Sequence, residues 1–219
     1  KEVGHDIASS VQAVVPMLRN IRRGLIAGPA AIEAKIKDAE EEIMSAYRTA
    51  ETLGITVDPD YNIAEGNAEF FDARTAVGEI LELCRSEASE RHLVFRTELP
   101  ENPLQVWGDR KAIQSALMQL LINAIKYSRG SAHVTIRVEN CDESVVFQVT
   151  DRGMPIEVDE EPYLWDFGWR GQRAKELHVN GSGIGLYTVK KIVRAHQGFV
   201  GYAPRKENRA IVSFYFGLP

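Results

Sequence analysis

The chain has 219 residues, of which 44% are hydrophobic and 26% are charged, and its formal net charge at pH 7 is −5. This length and composition suit one or two folded domains and exclude intrinsically disordered and collagen-like classes. The mild acidity argues against a dedicated nucleic-acid-binding protein, which would normally present a basic surface.

Segments for export or membrane insertion are not evident in the sequence. No apolar run approaches the roughly 18 residues of a membrane span. The two cysteines, Cys84 and Cys141, lack metal-site spacing and form no disulfide framework. These features predict a reducing, cytoplasmic location. Because the chain starts at Lys1 and not at methionine, we expect a fragment, with an upstream sensor or membrane anchor left open.

Two helices with apolar seams are predicted at the start of the chain. Apolar residues recur at alternating intervals of four and three residues from Ile7 to Leu25, and again from Ile32 to Leu53. Gly28-Pro29 separates the two stripes, which is typical of an antiparallel helical hairpin. A second copy would cover both seams in a dimeric four-helix bundle, which we favour over packing on the downstream domain.

The rest of the chain predicts an α+β sandwich after a linker. Residues 54–70 collect Gly, Pro, Asp and Asn and lose the seam, which indicates a linker or a short irregular segment. The predicted helices are one from Asp72 to about Arg91, one capped by Asp109, and one from Gly185 to about His196. The predicted strands are Leu93–Leu99, Ala132–Glu139, Val145–Thr150, Phe199–Ala203 and Ala210–Gly217. Between them we expect a Pro-bearing loop to Gly108, a turn at Asn140–Glu143 and a loop over 151–180. Helices segregated from a hairpin-containing sheet indicate the α+β class.

A histidine and an aspartate are adjacent near the start of the first helix, in Gly4-His5-Asp6. In the frame of the seam His5 faces solvent, where its neutral ring could attack phosphorus. Asp6 could accept the other ring proton and hold the tautomer. Taken alone, the pair is more typical of a solvated surface histidine.

A second polar pair lies on the otherwise aliphatic helix after Asp109. Asn123 and Lys126 are three residues apart and share one side of that helix. An uncharged oxygen suits Mg²⁺ that keeps most of its water, and an ammonium suits a phosphate. The alternative is an ordinary polar flank with a lysine near the helix C-terminus.

Two glycine-bearing segments follow. Asp151-Arg152-Gly153 ends a β run, where a carboxylate could accept a hydrogen bond from an exocyclic amine and glycine would let a flat base approach, although a type I turn uses the same residues. Residues 181–186, Gly-Ser-Gly-Ile-Gly-Leu, precede a helix and would direct backbone N–H groups at an anion. This glycine segment fits neither the dinucleotide fingerprint nor a G-x-x-x-x-G-K-[ST] phosphate loop.

Together and in this order, the four segments resemble those of the sensor histidine kinases of two-component signalling. The resemblance covers nearly the whole chain. Residues 1–58 are similar to the dimerisation and phosphoacceptor hairpin, 59–70 would be a linker, and 71–219 are similar to the ATP-binding domain shared with gyrase, the heat-shock-protein-90 chaperones and the mismatch-repair ATPases.

The resemblance implies a role for each matching residue. His5 would be the phosphorylated histidine and Asp6 its adjacent acid. Asn123 would coordinate Mg²⁺, Lys126 would contact phosphate, and Tyr127 would lie near the nucleotide. Asp151 would bind the adenine amine with Gly153 beside it, and the residues beside the phosphates would be Gly181, Gly183, Gly185 and Leu186. Residues 165–170 resemble the family's aromatic box, and about 156–180 resemble its mobile ATP lid.

Several positions depart from the family's pattern. Gln119 stands where a first asparagine is usual, and Pro155 stands where the second glycine of D-x-G-x-G is expected, which restricts φ. Gly168 interrupts the aromatic box. Ser9 stands where many members have Thr or Asn for dephosphorylation, so phosphatase activity is the least supported expectation.

The resemblance implies an ATP- and Mg²⁺-dependent protein-histidine kinase. It would be a homodimer that phosphorylates His5 and passes the phosphate to an aspartate of a response regulator, with no nucleic-acid partner. One alternative is a histidine phosphotransfer adaptor whose kinase-like domain binds no ATP. Another is a conformational ATPase, but the stretch 113–119 lacks the carboxylate that hydrolysis by a general base would need. A third alternative, a serine kinase that inhibits a sigma factor, would not explain the predicted hairpin that carries His5.

Overall fold

The computed structural model describes residues 18, 20–23, 28–36, 67–130, 132–177, 183–205 and 208–219. The chain divides into two units, Lys1–Val57 and Asp58–Pro219, and each is described by itself. In the first unit, residues 20–22 and 29–36 are helical, and Gly28 has a φ of +94°. Most of the predicted hairpin lies outside the described residues, so the dimeric bundle stays a prediction. Among the helices in the described ranges, none is long and apolar enough to cross a membrane.

The second unit is a five-stranded sheet covered by helices, with a separate two-stranded sheet. Its strands are β1 (Ala68–Asp72), β2 (Val94–Glu98), β3 (Gln105–Asp109), β4 (His133–Cys141), β5 (Ser144–Arg152), β6 (Phe199–Arg205) and β7 (Asn208–Leu218). Its helices are α1 (Ala73–Glu90), α2 (Arg110–Tyr127), α3 (Gln172–Glu176) and α4 (Gly185–Ala195), with a 3₁₀ turn at Glu161–Tyr163. The large sheet has the order β2-β4-β5-β7-β6, parallel between β2 and β4 and antiparallel elsewhere. This architecture confirms the predicted α+β sandwich.

The core lies between one face of the large sheet and helices α1, α2 and α4. Alternate residues of the central strand β5 are buried, namely Val145, Phe147, Val149 and Asp151, while those between them are half-buried. Side chains two residues apart share a sheet face, so Asp151 points to the same side as its apolar neighbours. The strand therefore carries a carboxyl group into the core layer.

Both long helices begin at aspartate caps. The Asp72 carboxylate accepts a hydrogen bond from the backbone N–H of Arg74 at 3.1 Å, and the Asp109 carboxylate accepts one from Ala112 at 3.1 Å. Each side chain thereby satisfies a donor that the first turn of a helix leaves without a partner. The predicted cap at Asp109 is confirmed.

The two-stranded sheet corrects the sequence-based prediction. Residues 68–70, assigned to the 59–70 linker, belong to β1, and the predicted loop before Gly108 contains β3. The two strands pair antiparallel with Phe70 opposite Trp107, whose ring centroids are 4.8 Å apart. Each strand exists because of a partner distant in sequence, and no local pattern reports such pairing.

Other boundaries differ by a few residues. The predicted turn at Asn140–Glu143 is shorter, because β4 continues to Cys141 and β5 begins at Ser144, with Asp142 at a φ of +54°. The final hairpin is longer than predicted at both strands. The stretch predicted as a loop over 151–180 contains the 3₁₀ turn and α3.

Candidate functional site

Helices α2 and α4 run antiparallel and bring two predicted site segments together. A Cβ atom built on Gly185, the first residue of α4, would lie 2.8 Å from Oε1 of Gln119 and 4.0 Å from Nδ2 of Asn123 on α2. At the other end of the pair, the backbone N–H of Asp109, which caps α2, donates to Nε2 of His196 at the end of α4. The glycine segment therefore reaches the predicted Mg²⁺ ligand. The longer amide of Gln119 also reaches this segment.

Position 183 requires glycine for two reasons, which are its backbone conformation and the lack of space for a side chain. Its φ is +74°, a region that residues with a side chain rarely adopt. A Cβ atom there would lie 2.5 Å from the carbonyl oxygen of Trp169 and 2.8 Å from that of Gly168. The glycine segment thus packs against the backbone of the predicted aromatic box.

Asp151 is a buried carboxyl group without a hydrogen-bond partner at one of its oxygens. The residue is 4% exposed, and its Oδ1 contacts no donor within the described residues. Burial raises the pKa of Asp151 to about 8. An unsatisfied buried acceptor costs free energy, so a ligand donor that reached Oδ1 would recover part of that cost.

Gly153 packs directly against this carboxyl. A Cβ atom on Gly153 would clash with Oδ1 of Asp151 and would lie 2.8 Å from the backbone oxygen of Tyr127. We refer to Asp151, Gly153 and the Tyr127 carbonyl together as the recess. A side chain at residue 153 would displace one of these two oxygens, so the arrangement requires glycine.

The end of α2 lies beside the recess. The Arg129 N–H donates to the Arg152 carbonyl at 3.1 Å, which joins the segment after α2 to the end of β5. Burial raises the pKa of Tyr127, while the positive charge of Arg170 in the aromatic box acts in the opposite direction. Lys126 Nζ lies 5.4 Å from the Tyr127 ring centroid. The side chains of Lys126 and Arg170 are therefore both close to Tyr127, whose carbonyl is part of the recess.

Aromatic contacts attach the predicted lid to the rest of the unit. Trp165 packs edge-to-face on Phe214 of β7 at a centroid distance of 5.9 Å, and Phe167 packs similarly on Tyr187 of α4 at 5.3 Å. The Glu160 carboxylate also accepts a hydrogen bond from the Gln172 N–H that begins α3, at 2.7 Å. The lid thus borders both the sheet and the helix that follows the glycine segment.

The residues of the site fit a magnesium nucleotide. Asp151 offers an unsatisfied buried acceptor beside Gly153 at one end, while Asn123, Lys126 and residues 183–186 offer an amide oxygen, a cation and backbone N–H groups at the other. Within the described ranges, no cluster of three or more His, Cys, Asp or Glu residues could hold a metal by itself. One amide oxygen together with phosphate oxygens and water suits Mg²⁺.

The structure thus brings most predicted site residues into one region. Asn123, Lys126, Tyr127, Asp151, Gly153, Gly183 and Gly185 lie around it, and Leu186 is half-buried in the first turn of α4. His5, Asp6 and Gly181 lie outside the described residues, so their roles stay predictions. Sequence reasoning missed His196 as a buried link between the two helices, because nothing local to a helix C-terminus indicates burial.

Known proteins match the chain in sequence and in fold. Residues 108–219, about half of the chain, match the family described as histidine kinase-, DNA gyrase B-, and HSP90-like ATPase. Among curated relatives, the sensor-like histidine kinase SenX3 of Mycobacterium tuberculosis is 32% identical over 129 residues, covering 59% of this chain and 31% of SenX3. The chain spans about a third of the length of this relative.

Two solved structures share the fold across almost the entire chain. The solved structure of the histidine kinase AdeS of Acinetobacter baumannii has a TM-score of 0.63 at 19% identity, covering 98% of this chain and 96% of that chain. The histidine kinase ThkA in complex with the response regulator protein TrrA has a TM-score of 0.64 at 18% identity, covering 100% of this chain and 60% of that chain. At these identities the likeness establishes the fold alone.

Proposed function

Because the chain belongs to the family of histidine kinase-, DNA gyrase B-, and HSP90-like ATPases, we propose that residues 71–219 bind Mg-ATP and that the whole chain is a protein-histidine kinase core. The observation that carries the proposal is the recess, in which a buried oxygen of Asp151 has no hydrogen-bond partner and lies against the backbone of Gly153. An adenine amine has the donor and the flat shape that this recess would accept.

Each end of the nucleotide would meet a different kind of group. Asp151 would accept a hydrogen bond from the base, and the backbone at Gly153 would lie against the ring. Asn123 would supply an amide oxygen to hydrated Mg²⁺, and Lys126 and Arg170 would offset phosphate charge. The N–H groups at the start of α4 would point at the phosphates. Phosphoryl transfer needs this kind of positioning and charge neutralisation from the protein.

The acceptor would be His5 on the hairpin. When bound, Mg-ATP supplies the γ-phosphoryl group: its bond to the bridging oxygen breaks, a bond to an imidazole nitrogen forms, and ADP leaves. Asp6 would hold the other ring nitrogen in the tautomer that leaves the attacking lone pair free. The phosphoryl group would then pass to an aspartate of a response regulator, and the complex of the relative ThkA with TrrA supports a partner of this kind.

We further propose that the kinase is a homodimer that acts in the cytoplasm. Leu18 and Ile36, both on the predicted seams, are 46% and 43% exposed in the single chain. Apolar residues that recur at seam positions and stay exposed favour a second copy as their cover. Transfer within one subunit and transfer across the dimer are both compatible with this arrangement.

Incubation with γ-labelled ATP tests the proposal. The wild-type chain should take up label, and His5→Ala should not. A phosphate on nitrogen becomes a good leaving group when that nitrogen is protonated, so the label should be lost in acid and survive alkali. Acid-stable label, or label that persists in His5→Ala, would overturn the assignment of His5. A chain that ignores ATP at millimolar concentration would favour the adaptor.

A further inference from the structure

His196 is a buried histidine at the end of α4, away from the recess. The residue is 5% exposed. Its Nε2 accepts a hydrogen bond from the backbone N–H of Asp109 at 3.0 Å, and its Nδ1 lies 2.8 Å from the carbonyl oxygen of Ile192. A carbonyl only accepts, so Nδ1 carries the proton and Nε2 carries the lone pair. Both ring nitrogens are therefore used, and the imidazole is neutral.

The junction between β3 and α2 is built around this ring. A Cβ atom on Gly108, the residue before Asp109, would lie 2.8 Å from Nε2 of His196 and 2.8 Å from Cδ1 of Ile113. The imidazole occupies the space that a side chain at position 108 would need. Glycine at position 108 therefore leaves room for the imidazole of His196, which is remote in sequence.

The ring joins the two helices that carry the phosphate end of the nucleotide site. Asp109 caps α2, and Ile192 lies in the last turns of α4. At the opposite end of the same pair, Gly185 of α4 lies against Asn123 of α2. A helix rises about 1.5 Å per residue and is stiff over this length. A shift of α4 along α2 at the His196 end would therefore move Gly185 by a similar distance relative to Asn123.

We propose that His196 is a positioning residue for the nucleotide site, because its neutral imidazole sets how far α4 lies along α2 and so where the glycine segment lies relative to Asn123. The inference rests on the proposed function, since it concerns the site that would hold Mg-ATP. His196 itself does not touch the nucleotide. It acts through the Asp109 N–H and the Ile192 carbonyl.

Protonation of the ring would remove this link. A protonated Nε2 is a donor and would face the Asp109 N–H, which is also a donor. Burial lowers the pKa of His196, while the Ile192 carbonyl and the negative charge of Asp109 act in the opposite direction. Asp109, at the start of α2, is the charged group that acts on the ring. The link is therefore kept at neutral pH and lost in acid.

Substitutions of His196 can separate positioning from packing. Some place a polar group at the position of one ring nitrogen, and others place none. The glutamine amide reaches the position of Nε2 and can accept from Asp109, whereas the shorter asparagine amide reaches only the position of Nδ1. On the full 219-residue chain, Mg-ATP affinity is measured by titration calorimetry at pH 7. His196→Gln should stay within about threefold of wild type, and His196→Asn and His196→Ala should each lose about tenfold or more.

Val138→Ala is the matched control for lost stability, because Val138 is buried on β4 and takes no part in the α2–α4 pair. It should lower the Tm as His196→Ala does and leave the affinity of the folded chain unchanged. In acid the wild-type affinity should decline more than that of His196→Gln, because glutamine does not titrate. Wild-type affinity in both His196→Asn and His196→Ala would overturn the inference. A wild-type chain that binds no Mg-ATP would overturn the proposed function itself, and the inference with it.

Discussion

Asp151 and Gly153 share a single recess at the end of β5, where a Cβ atom on Gly153 would clash with Oδ1 of Asp151. Residue 152 between them is exposed, and its carbonyl is held by the Arg129 N–H. The buried carboxyl can consequently keep this position only while residue 153 is glycine.

Gly153→Ala should abolish nucleotide binding and destabilise the fold. The new methyl group would displace the Asp151 carboxyl or the Tyr127 carbonyl, and overpacking of this kind costs about 1–3 kcal/mol. Gly78→Ala on α1 is the control, because a Cβ there meets nothing within 4 Å and alanine in a helix is favoured by about 0.5–1 kcal/mol. Calorimetric titration with ATP and urea unfolding measure both effects. Unchanged ATP affinity in Gly153→Ala would contradict the recess as the base site.

Asp151→Asn should change how stability depends on pH. The pKa of Asp151 is raised to about 8 in the folded chain by burial, against an ordinary value of 3.8. Between these values the unfolded chain holds fewer protons than the folded one, so the contribution of this group is complete below the ordinary pKa and is lost as the pH rises toward 8. The free energy of unfolding of Asp151→Asn relative to wild type should therefore increase over this range and then level off.

Urea unfolding at several pH values measures this difference. Asp142→Asn is its control, since Asp142 lies exposed in the β4–β5 turn at a positive φ that asparagine tolerates. That variant should follow the wild-type curve. If Asp151→Asn does so as well, the carboxyl does not titrate as its burial implies.

Asn123→Ala should remove the magnesium dependence of nucleotide binding. If Asn123 supplies an amide oxygen to Mg²⁺, the variant should bind Mg-ATP no better than ATP in the presence of a chelator. Ser115→Ala, on the same helix and away from the glycine segment, should keep the wild-type difference between the two conditions. Titrations with and without magnesium make the comparison. A magnesium effect of wild-type size in Asn123→Ala would exclude this residue as the ligand.

Gly183→Ala should weaken nucleotide binding through the lid. Its φ of +74° is unfavourable for alanine by about 1–2 kcal/mol, and its Cβ would press on the carbonyl oxygen of Trp169. Gly130→Ala isolates the first effect, because Gly130 has a φ of +65° and open space around its Cβ. Tryptophan fluorescence and ATP titration should change in Gly183→Ala only. Equal behaviour of the two variants would show that the contact with Trp169 is unimportant.

Residues 1–58 should hold two copies together. Light scattering at micromolar concentration should give twice the chain mass of 24.5 kDa. Ile43→Lys should produce a monomer, because a buried charge without a partner costs several kcal/mol. Glu33→Lys, at an exposed position of the described helical segment, should remain a dimer. A wild-type monomer would contradict the predicted bundle.

The sequence predicted those parts of the fold that have a local physical cause. Helix α2 has a capping aspartate and a long aliphatic run, and the alternation in β4 and β5 indicates strands with one buried face. The burial of Asp151 could have been predicted from the sequence, because Asp151 continues the alternation of buried residues through Val145, Phe147 and Val149. An aspartate near a glycine at the end of a strand is also typical of a turn, and this local pattern favoured an exposed position for Asp151.

The missed features have causes that lie far apart along the chain. Within the part of the chain that the structure describes, β1 and β3 pair only with each other, and the aromatic contact between Phe70 and Trp107 depends on that pairing. His196 is buried because α4 packs on α2, and its partner Asp109 is remote in sequence. Patterns within a window of ten or twenty residues carry no information on such contacts.

The position of Asp151 on a central strand also sets how the site opens. Strand β5 has hydrogen-bonded neighbours on both sides, β4 and β7, whereas residues 153–171 outside the sheet have no ladder to hold them. Local opening costs least in connecting segments and most in central strands. Amide exchange should therefore be slow at residues 145–151 and faster in the lid. If the proposed nucleotide site is correct, the nucleotide would leave at its phosphate end through such local openings, while the strand that carries Asp151 stays folded.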